Sequence, residues 1–285
     1  MMKVIDFSHS YCILIIDFLY ILFYLMLHIS SKLPRLKMRA CALATTFAFL
    51  SSPMHAAWAD QPNWSYDGEY NHFDVWAEIE PGYQDCAVGT EQSPIAISYT
   101  EEADLPPLEF AYRESPAKLT FQNHAIEVLM SGRNTLTIAG REYLLTKIVL
   151  HSPSEHVVKG VFYVGEIQFH HVDVSGKRLI TAVFIERKDE GAALVGALVA
   201  NIPMPRTSPV GMDFDPSVLL PAKRGYYAYS GSLTTPPCTE GVQWRVLKNP
   251  VYFTNQQMQS IAQIVKRNAR LPQPVYSRVI QETKD

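Results

Sequence analysis

From Asp60 onward, the chain consists of short apolar segments separated by turn residues, and strands do not alternate regularly with helices. Residues 134–138, a turn at Ala139-Gly140 and residues 143–151 together predict a hairpin. Residues 178–185 show little polar–apolar alternation, which is typical of a strand buried on both faces. Most of this region is therefore expected to be β-structure.

Two helices are predicted beside these strands. Residues 192–200 form a short apolar run, and residues 254–266 carry apolar side chains at helical spacing. The second run begins with Thr254 and Gln257 in a capping-box pattern, which is a typical helix start. Because helices and strands do not alternate, the predicted fold class is mainly β or α+β, as a single domain over residues 60–285.

The composition fits one domain with a large core. Of the 285 residues, 47% are hydrophobic, and 25 basic side chains stand against 28 acidic ones, which gives a net charge of -3. This balance provides no electrostatic attraction for nucleic acid or for an anionic membrane surface. No nucleic-acid partner is therefore expected.

Two apolar runs precede the predicted domain. Residues 38–59 have a basic start, an apolar centre and small residues at Ala57 and Ala59, which is the pattern of a cleaved signal peptide. Residues 1–37 contain a run long enough for a membrane anchor, but its place before a complete signal favours an over-extended N-terminus. We expect a periplasmic or secreted protein, attached to a membrane only if residues 1–37 are retained.

Three segments carry closely spaced polar residues: KIVLHSPSEH at 147–156, EIQFHH at 166–171 and YSGSLTTPPC at 229–238. The motifs that accompany them are Trp64-Ser65-Tyr66, Gln92-Ser93-Pro94-Ile95, Asn123-His124, Trp244 and Asn268-Ala269-Arg270. In this order they resemble the α-class carbonic anhydrases, bacterial exported type. The resemblance implies one large twisted, mostly antiparallel central sheet with a few peripheral helices, and an active site at the floor of a cone.

The activity implied by the resemblance is the reversible hydration of CO2 to bicarbonate and a proton. Members of the family use zinc, which lowers the pKa of its bound water to about 7. Three histidines hold the zinc in the family, and the matching positions here are Val149, His151 and Gln168. Valine cannot bind a metal, and glutamine offers a hard carbonyl oxygen, so zinc binding is expected to be weak or absent.

The resemblance also assigns roles around the cavity. The residues expected to orient the metal-bound hydroxide or to transfer protons are Tyr66, His124, Glu155, Thr234 and Thr235, with Thr234 donating a hydrogen bond to Glu155. The CO2 pocket is expected at Ile180, Leu233 and His170. The positions that support the zinc ligands are Lys147, His156 and Glu166. A bulky imidazole at His170 and a cation at Lys147 should disfavour CO2 and zinc respectively.

The cysteines support export. Of four cysteines, Cys12 and Cys41 lie in the N-terminal segments, which leaves Cys86 and Cys238 in the predicted domain. Two cysteines in an exported domain are expected to pair, with two buried free thiols as the alternative. Bacterial members of the family carry a disulfide at these positions, so the resemblance favours the pair.

Three functions are compatible with these patterns. The favoured one is an exported carbonic-anhydrase-like protein with absent or severely weakened activity, retained for structure or for binding an unidentified protein or ligand. The second is an active enzyme on CO2 and bicarbonate, whose remodelled metal site uses His151, His170 and either His124 or Gln168. The third, a metal-free hydrolase, is disfavoured because Thr234 lacks a suitably related histidine base and no nucleophile-elbow sequence occurs.

Overall fold

The computed structural model describes residues 63–68, 70–189, 193–204 and 207–284. The predicted signal peptide at residues 38–59 and the segment at residues 1–37 lie outside these described residues. Within the described ranges, no helix combines the length and the apolar character needed to cross a membrane.

A large sheet dominates the described part of the chain. The strands, in chain order, are β1 (Ala96–Ile97), β2 (Glu101–Ala103), β3 (Glu109–Ala111), β4 (Ser115–Gln122), β5 (Ala125–Met130), β6 (Thr135–Ile138), β7 (Arg141–His151), β8 (Val157–Val158), β9 (Val161–Phe162), β10 (Gly165–Val172), β11 (Arg178–Arg187), β12 (Val210–Phe214), β13 (Tyr226–Ser232), β14 (Glu240–Leu247), β15 (Val251–Phe253) and β16 (Gln281–Thr283). Strands β1, β8 and β9 form a small sheet, and the other thirteen described strands form the large one. The predicted hairpin is confirmed as β6 and β7, which pair in antiparallel register.

The central strands of the large sheet are those that carry the polar motifs. The order along the sheet is β12-β4-β5-β7-β10-β11-β14-β13-β16-β2. Neighbours from β12 to β11 are antiparallel. Strand β11 pairs in parallel with β14 and β15, and β16 pairs in parallel with β2. The prediction of a mainly β fold on a large, mostly antiparallel sheet is therefore confirmed.

Strand β11 is buried on both faces, as its sequence predicted. Leu179 and Val183 belong to the apolar cluster on one side of the sheet, whereas Ile180 and Phe184 belong to the cluster on the other. Alternate residues of a strand point to opposite faces, so one strand can contribute to both clusters. Burying a side chain of this size stabilises the fold by about 1.5–3 kcal/mol.

The helices are few and peripheral. They are α1 (Trp76–Ile79), α2 (Asp85–Val88), α3 (Ala193–Ala200) and α4 (Asn255–Ile264), with 3-10 turns at Phe73–Val75, Pro81–Tyr83 and Pro216–Leu219. The predicted capping box is confirmed: the Thr254 hydroxyl accepts from the Gln257 N–H, and the Gln257 side chain accepts from the Thr254 N–H. The helix ends at Ile264 rather than Lys266, because Val265 has an extended backbone.

A disulfide joins Cys86, in α2, to Cys238, in the loop after β13. The predicted pair is confirmed. Cys238 is buried together with Trp64, Tyr66 and Trp76 in a small cluster. The bond thus links the beginning of the described chain to the loop that carries Thr234 and Thr235.

Candidate functional site

A cavity lies between the central strands and the loop that follows β13. Its lining consists of Tyr66, Asn123, Ala125, Glu127, Lys147, Val149, His151, Gln168, His170, Leu233, Thr234 and Thr235. The structure therefore brings most of the predicted site residues into one place. Of the predicted set, His124, Glu155, His156, Glu166 and Ile180 lie behind or beside this lining.

The register of two neighbouring strands builds the cavity wall. On β7 and β10, Val149 lies opposite Gln168, and His151 lies opposite Glu166. Side chains two apart on a strand face the same side, so Val149 and His151 share the cavity face. Both residues line the cavity, as does His170 beside Gln168 on β10.

His151 retains a free ring nitrogen at the cavity floor. Its Nδ1 lies 2.7 Å from the backbone carbonyl oxygen of Asn268. Because a carbonyl oxygen only accepts, Nδ1 donates the hydrogen, and Nε2 is the remaining ring nitrogen. Among the described residues, this Nε2 makes no hydrogen bond. His151 is thus the one matched ligand position that still offers nitrogen.

Gln168 is held by two carboxylates beneath the floor. Its Nε2 donates to Glu155 Oε2 at 2.7 Å and to Glu166 Oε1 at 3.0 Å. An amide nitrogen has two hydrogens, so its donor capacity is used completely. The amide carbonyl oxygen, which has no hydrogen bond within the described part of the chain, is what Gln168 can offer to a ligand.

Glu166 is the most heavily hydrogen-bonded acid of the site. Its Oε2 accepts from the backbone N–H groups of Glu155 at 3.1 Å and His156 at 2.8 Å, and its Oε1 accepts from His156 Nδ1 at 2.9 Å. Burial opposes its charge, but the charge and hydrogen bonds of His156 outweigh burial and lower the pKa of Glu166 to about 2. The ring of His156 also contacts the Tyr229 hydroxyl, at 2.6 Å from Nε2.

The expected hydrogen bond from Thr234 to Glu155 is not made within the described residues. Glu155 is fully buried, and its Oε1 accepts from the backbone N–H of Arg270 at 2.9 Å. Its Oε2 accepts from Gln168 instead of from the threonine. The replacement explains the difference, because the amide at position 168 has two donor hydrogens and reaches both Glu155 and Glu166, whereas a metal-bound histidine has one ring N–H left to donate.

Tyr66 places a buried phenol on the cavity wall. The residue is 5% exposed, and its hydroxyl has no hydrogen-bond partner among the described residues. Burial, aided by the charges of Glu155 and Glu127, raises the pKa of Tyr66 well above its usual range. The phenol is therefore neutral and has an unused donor.

An ion pair on the cavity wall was not predicted from the sequence. Lys147 Nζ lies 2.9 Å from Glu127 Oε1, and the Glu127 side chain is almost fully buried while that of Lys147 is half-buried. Gln122 also donates to Glu127, at 2.9 Å. Glu127 is the one acidic residue in the otherwise apolar strand β5, and this exception to the pattern could have indicated a buried ion pair. The charge of Lys147 is thus paired locally.

Two predicted residues, His124 and Ile180, lie differently from what the resemblance implies, whereas His170 lines the cavity as expected. His124 is in the turn between β4 and β5, where its Nε2 donates to the Trp64 carbonyl oxygen at 2.7 Å, and it is not part of the lining. Ile180 lies opposite His170 on β11 and is buried in the core cluster rather than exposed to the cavity. Burial and the nearby charge of Lys147 lower the pKa of His170 well below its usual range, and its Nε2 is buried without a partner in the described structure.

Potential metal ligands are sparse in this arrangement. Within the described ranges, no group of three or more His, Cys, Asp or Glu side chains is placed to hold a metal ion. At the matched ligand positions, His151 offers a nitrogen and Gln168 an oxygen, while Val149 offers neither. The buried acids Glu155 and Glu166 are already engaged.

Known proteins are similar to this chain in sequence and in fold. A family model described as eukaryotic-type carbonic anhydrase matches residues 71–284. A carbonic anhydrase of Neisseria gonorrhoeae is 34% identical over 255 residues, which cover 88% of this chain and 97% of that protein. The structure of the Photobacterium profundum α-carbonic anhydrase is 35% identical with a TM-score of 0.72, and the match covers 77% of this chain and 100% of that one.

The α-carbonic anhydrase of Thermovibrio ammonificans, solved with the inhibitor sulfanilamide, is 33% identical with a TM-score of 0.73. That match covers 76% of this chain and 98% of that one. Similarity of this extent in sequence and in structure establishes common descent. The chain belongs to the α-class carbonic anhydrase family.

Proposed function

We propose that this protein is a carbonic-anhydrase-like binding protein whose zinc-dependent hydration of CO2 is absent or severely weakened. The observation that carries the proposal is the double hydrogen bond of Gln168 to Glu155 and Glu166. The side chain at the third ligand position is committed to two buried carboxylates. The Gln168 amide nitrogen and the two carboxylates beneath it are therefore hydrogen-bonded to one another without a metal.

These residues do not fit a zinc ion. Catalytic zinc sites use three protein ligands and leave one position for water, whereas this floor offers one imidazole and one amide oxygen. The Glu155 carboxylate, which the resemblance predicts to accept a hydrogen bond from Thr234, accepts one from Gln168 instead.

An active enzyme with a remodelled metal site is the second candidate. One observation favours it: His170 Nε2 is buried without a partner among the described residues, and both His151 and His170 line the cavity. However, His170 lies two residues beyond Gln168, about 6.8 Å along the strand. A zinc–nitrogen bond is about 2.0 Å, so a metal shared by these rings would have to move away from Thr234.

Metal analysis and CO2-hydration kinetics on the same purified protein test the proposal. After incubation with zinc and removal of the excess, we expect substoichiometric zinc and no turnover above the buffer rate. Stoichiometric zinc with rapid turnover would refute it. The double variant Val149→His with Gln168→His should regain zinc, since it restores three imidazoles. The single variant Val149→His is the matched control, because it adds an imidazole and leaves Gln168 bound to its carboxylates.

Export belongs to the same proposal. A disulfide such as Cys86–Cys238 persists in oxidising compartments, which fits a periplasmic or secreted protein. N-terminal sequencing of the protein from fractionated cells should find Asp60 as the first residue. A cytoplasmic protein that begins at Met1 or Met38 would contradict export.

A further inference from the structure

An open groove of about 380 Å³ lies between the β8–β9 hairpin and the segment that follows α4. Its lining consists of Ser152, Pro153, Phe162, Lys266 and Arg267, none of which lines the cavity described above. Binding sites for small molecules are concave and measure about 300–1,000 Å³. The groove is thus large enough to hold a small organic ligand.

Two adjacent cations line the groove. Lys266 and Arg267 are exposed, and within the described ranges neither side chain has an ion-pair or hydrogen-bond partner. Residues 241–281 and residues 156–165, which include both segments that border the groove, contain no Asp or Glu. The charge here is therefore positive, on a chain whose net charge is -3. Such a groove is complementary to an anion.

The acids that lie closest to the groove along the chain do not neutralise these cations. Glu155 and Glu166 are fully buried, and both accept hydrogen bonds from Gln168 beneath the cavity floor. Glu155 also accepts from the backbone N–H of Arg270. The two exposed cations are thus available to a ligand.

An exposed aromatic ring lines the same groove. Phe162 on β9 is 53% exposed, although its backbone pairs with Val157 of β8. Strand β9 lies at the edge of the small sheet, and no other described strand pairs with it beyond β8. A ring beside two cations can contact the apolar part of a ligand whose charged part the cations hold.

We propose that this groove binds a small aromatic carboxylate. The carboxylate contacts Lys266 and Arg267, and the aromatic ring of the ligand packs against Phe162. A guanidinium group can donate two parallel hydrogen bonds to a carboxylate, and the lysine adds a second positive charge. Two aromatic rings attract each other in offset-stacked or edge-to-face arrangements. The ligand is therefore recognised by its charge and by its ring together.

The groove is connected through the backbone to the cavity floor. Ser152 follows His151 in the chain, and Arg267 precedes Asn268. The backbone oxygen of Asn268 accepts from His151 at 2.7 Å, and its side chain accepts from the Ser152 N–H at 2.8 Å. A ligand in the groove thus contacts the two segments that hold this histidine. The inference is independent of zinc, because no residue of the groove is at a matched ligand position.

NMR titration with matched compounds tests the proposal. In 15N-labelled protein at constant ionic strength, the backbone amide signals of Phe162 and Arg267 should shift saturably with sodium benzoate, with a Kd on the order of 1 mM for so small a ligand. Benzamide has a similar shape without the charge, and acetate has the charge without the ring, so each should bind about tenfold more weakly. Benzamide, acetate or inorganic phosphate binding as tightly as benzoate would overturn the proposal, as would no saturable response to benzoate.

Two double variants test the charge contact. Lys266→Gln with Arg267→Gln should weaken benzoate binding by about tenfold, because it removes the charged donors. Lys223→Gln with Arg224→Gln is the matched control, since these residues are also an exposed lysine–arginine pair and Lys223 lines a different groove. Equal affinity in the two double variants would refute the assignment.

Two single variants test the ring contact. Phe162→Ala should lower the affinity for benzoate toward that for acetate. Val161→Ala is the control, because Val161 is 54% exposed on the same strand and does not line the groove. An equal loss in both variants would contradict the contact with Phe162. All substituted side chains are exposed, and near-UV circular dichroism establishes that each variant is folded.

Discussion

Replacing Gln168 with leucine should destabilise the protein by about 3–6 kcal/mol, because two hydrogen bonds to charged groups are lost at about 1.5–3 kcal/mol each. The lost bonds run from Nε2 to Glu155 Oε2 at 2.7 Å and to Glu166 Oε1 at 3.0 Å. Glu155 is fully buried and would keep one donor in the described structure, the Arg270 N–H. Glu166 would keep three donors. Most of the loss should therefore fall on Glu155.

Urea denaturation followed by tryptophan fluorescence, with the disulfide intact, measures this change. Gln243→Leu is a matched control in the same sheet, since Gln243 donates to the neutral hydroxyl of Ser230 at 3.1 Å. That loss should be about 1 kcal/mol. If the two variants lose the same stability, Gln168 does not support the buried carboxylates, and the central observation behind the proposed function fails.

Three further predictions concern charges and the disulfide. The lowered pKa of Glu166, about 2 against 4.5 for the free side chain, stabilises the fold above pH 4.5, and this contribution disappears as the pH falls toward 2. The free energy of unfolding of the wild type, measured in urea, should fall over that range by on the order of 3 kcal/mol more than that of Glu166→Gln; parallel curves would contradict this. Lys147→Met should lower the free energy of unfolding by about 2 kcal/mol, because it leaves the buried Glu127 carboxylate without its ion-pair partner. The double variant Lys147→Met with Glu127→Gln should recover most of that loss in urea denaturation, and no recovery would argue against the ion pair. Reducing Cys86–Cys238, which closes a separation of 152 residues, should lower the free energy of unfolding by roughly 3–5 kcal/mol in the same assay, and an unchanged midpoint would contradict it.

Features with local causes were predictable from the sequence. The capping box at Thr254 and Gln257 depends on residues three apart, and the two buried faces of β11 follow from its lack of polar–apolar alternation. The cavity residues on β7 were predictable as well, because strand alternation alone puts Val149 and His151 on one face.

Features that depend on partners distant in the chain were not predictable. The pairing of Lys147 with Glu127 requires the register of β5 against β7, which no short motif encodes. The contact of Gln168 with Glu155 displaced the hydrogen bond expected from Thr234, because a substitution rearranges the neighbours of the residue it replaces. A family resemblance predicts which residues occupy equivalent positions, but it does not predict their hydrogen bonds once a donor residue has been substituted.

The segment after α4 has a consequence for how the molecule is assembled. The backbone of Asn268 fixes the ring of His151, and the backbone of Arg270 fixes the carboxylate of Glu155. Arg270 also reaches back to Cys86 and Ser93 through its guanidinium group. Because Asn268 and Arg270 hydrogen-bond to parts of the chain that are synthesised much earlier, the site cannot form until residue 270 has been added. A polypeptide cut short before Asn268 would emerge with its central histidine unanchored, even if most strands had formed.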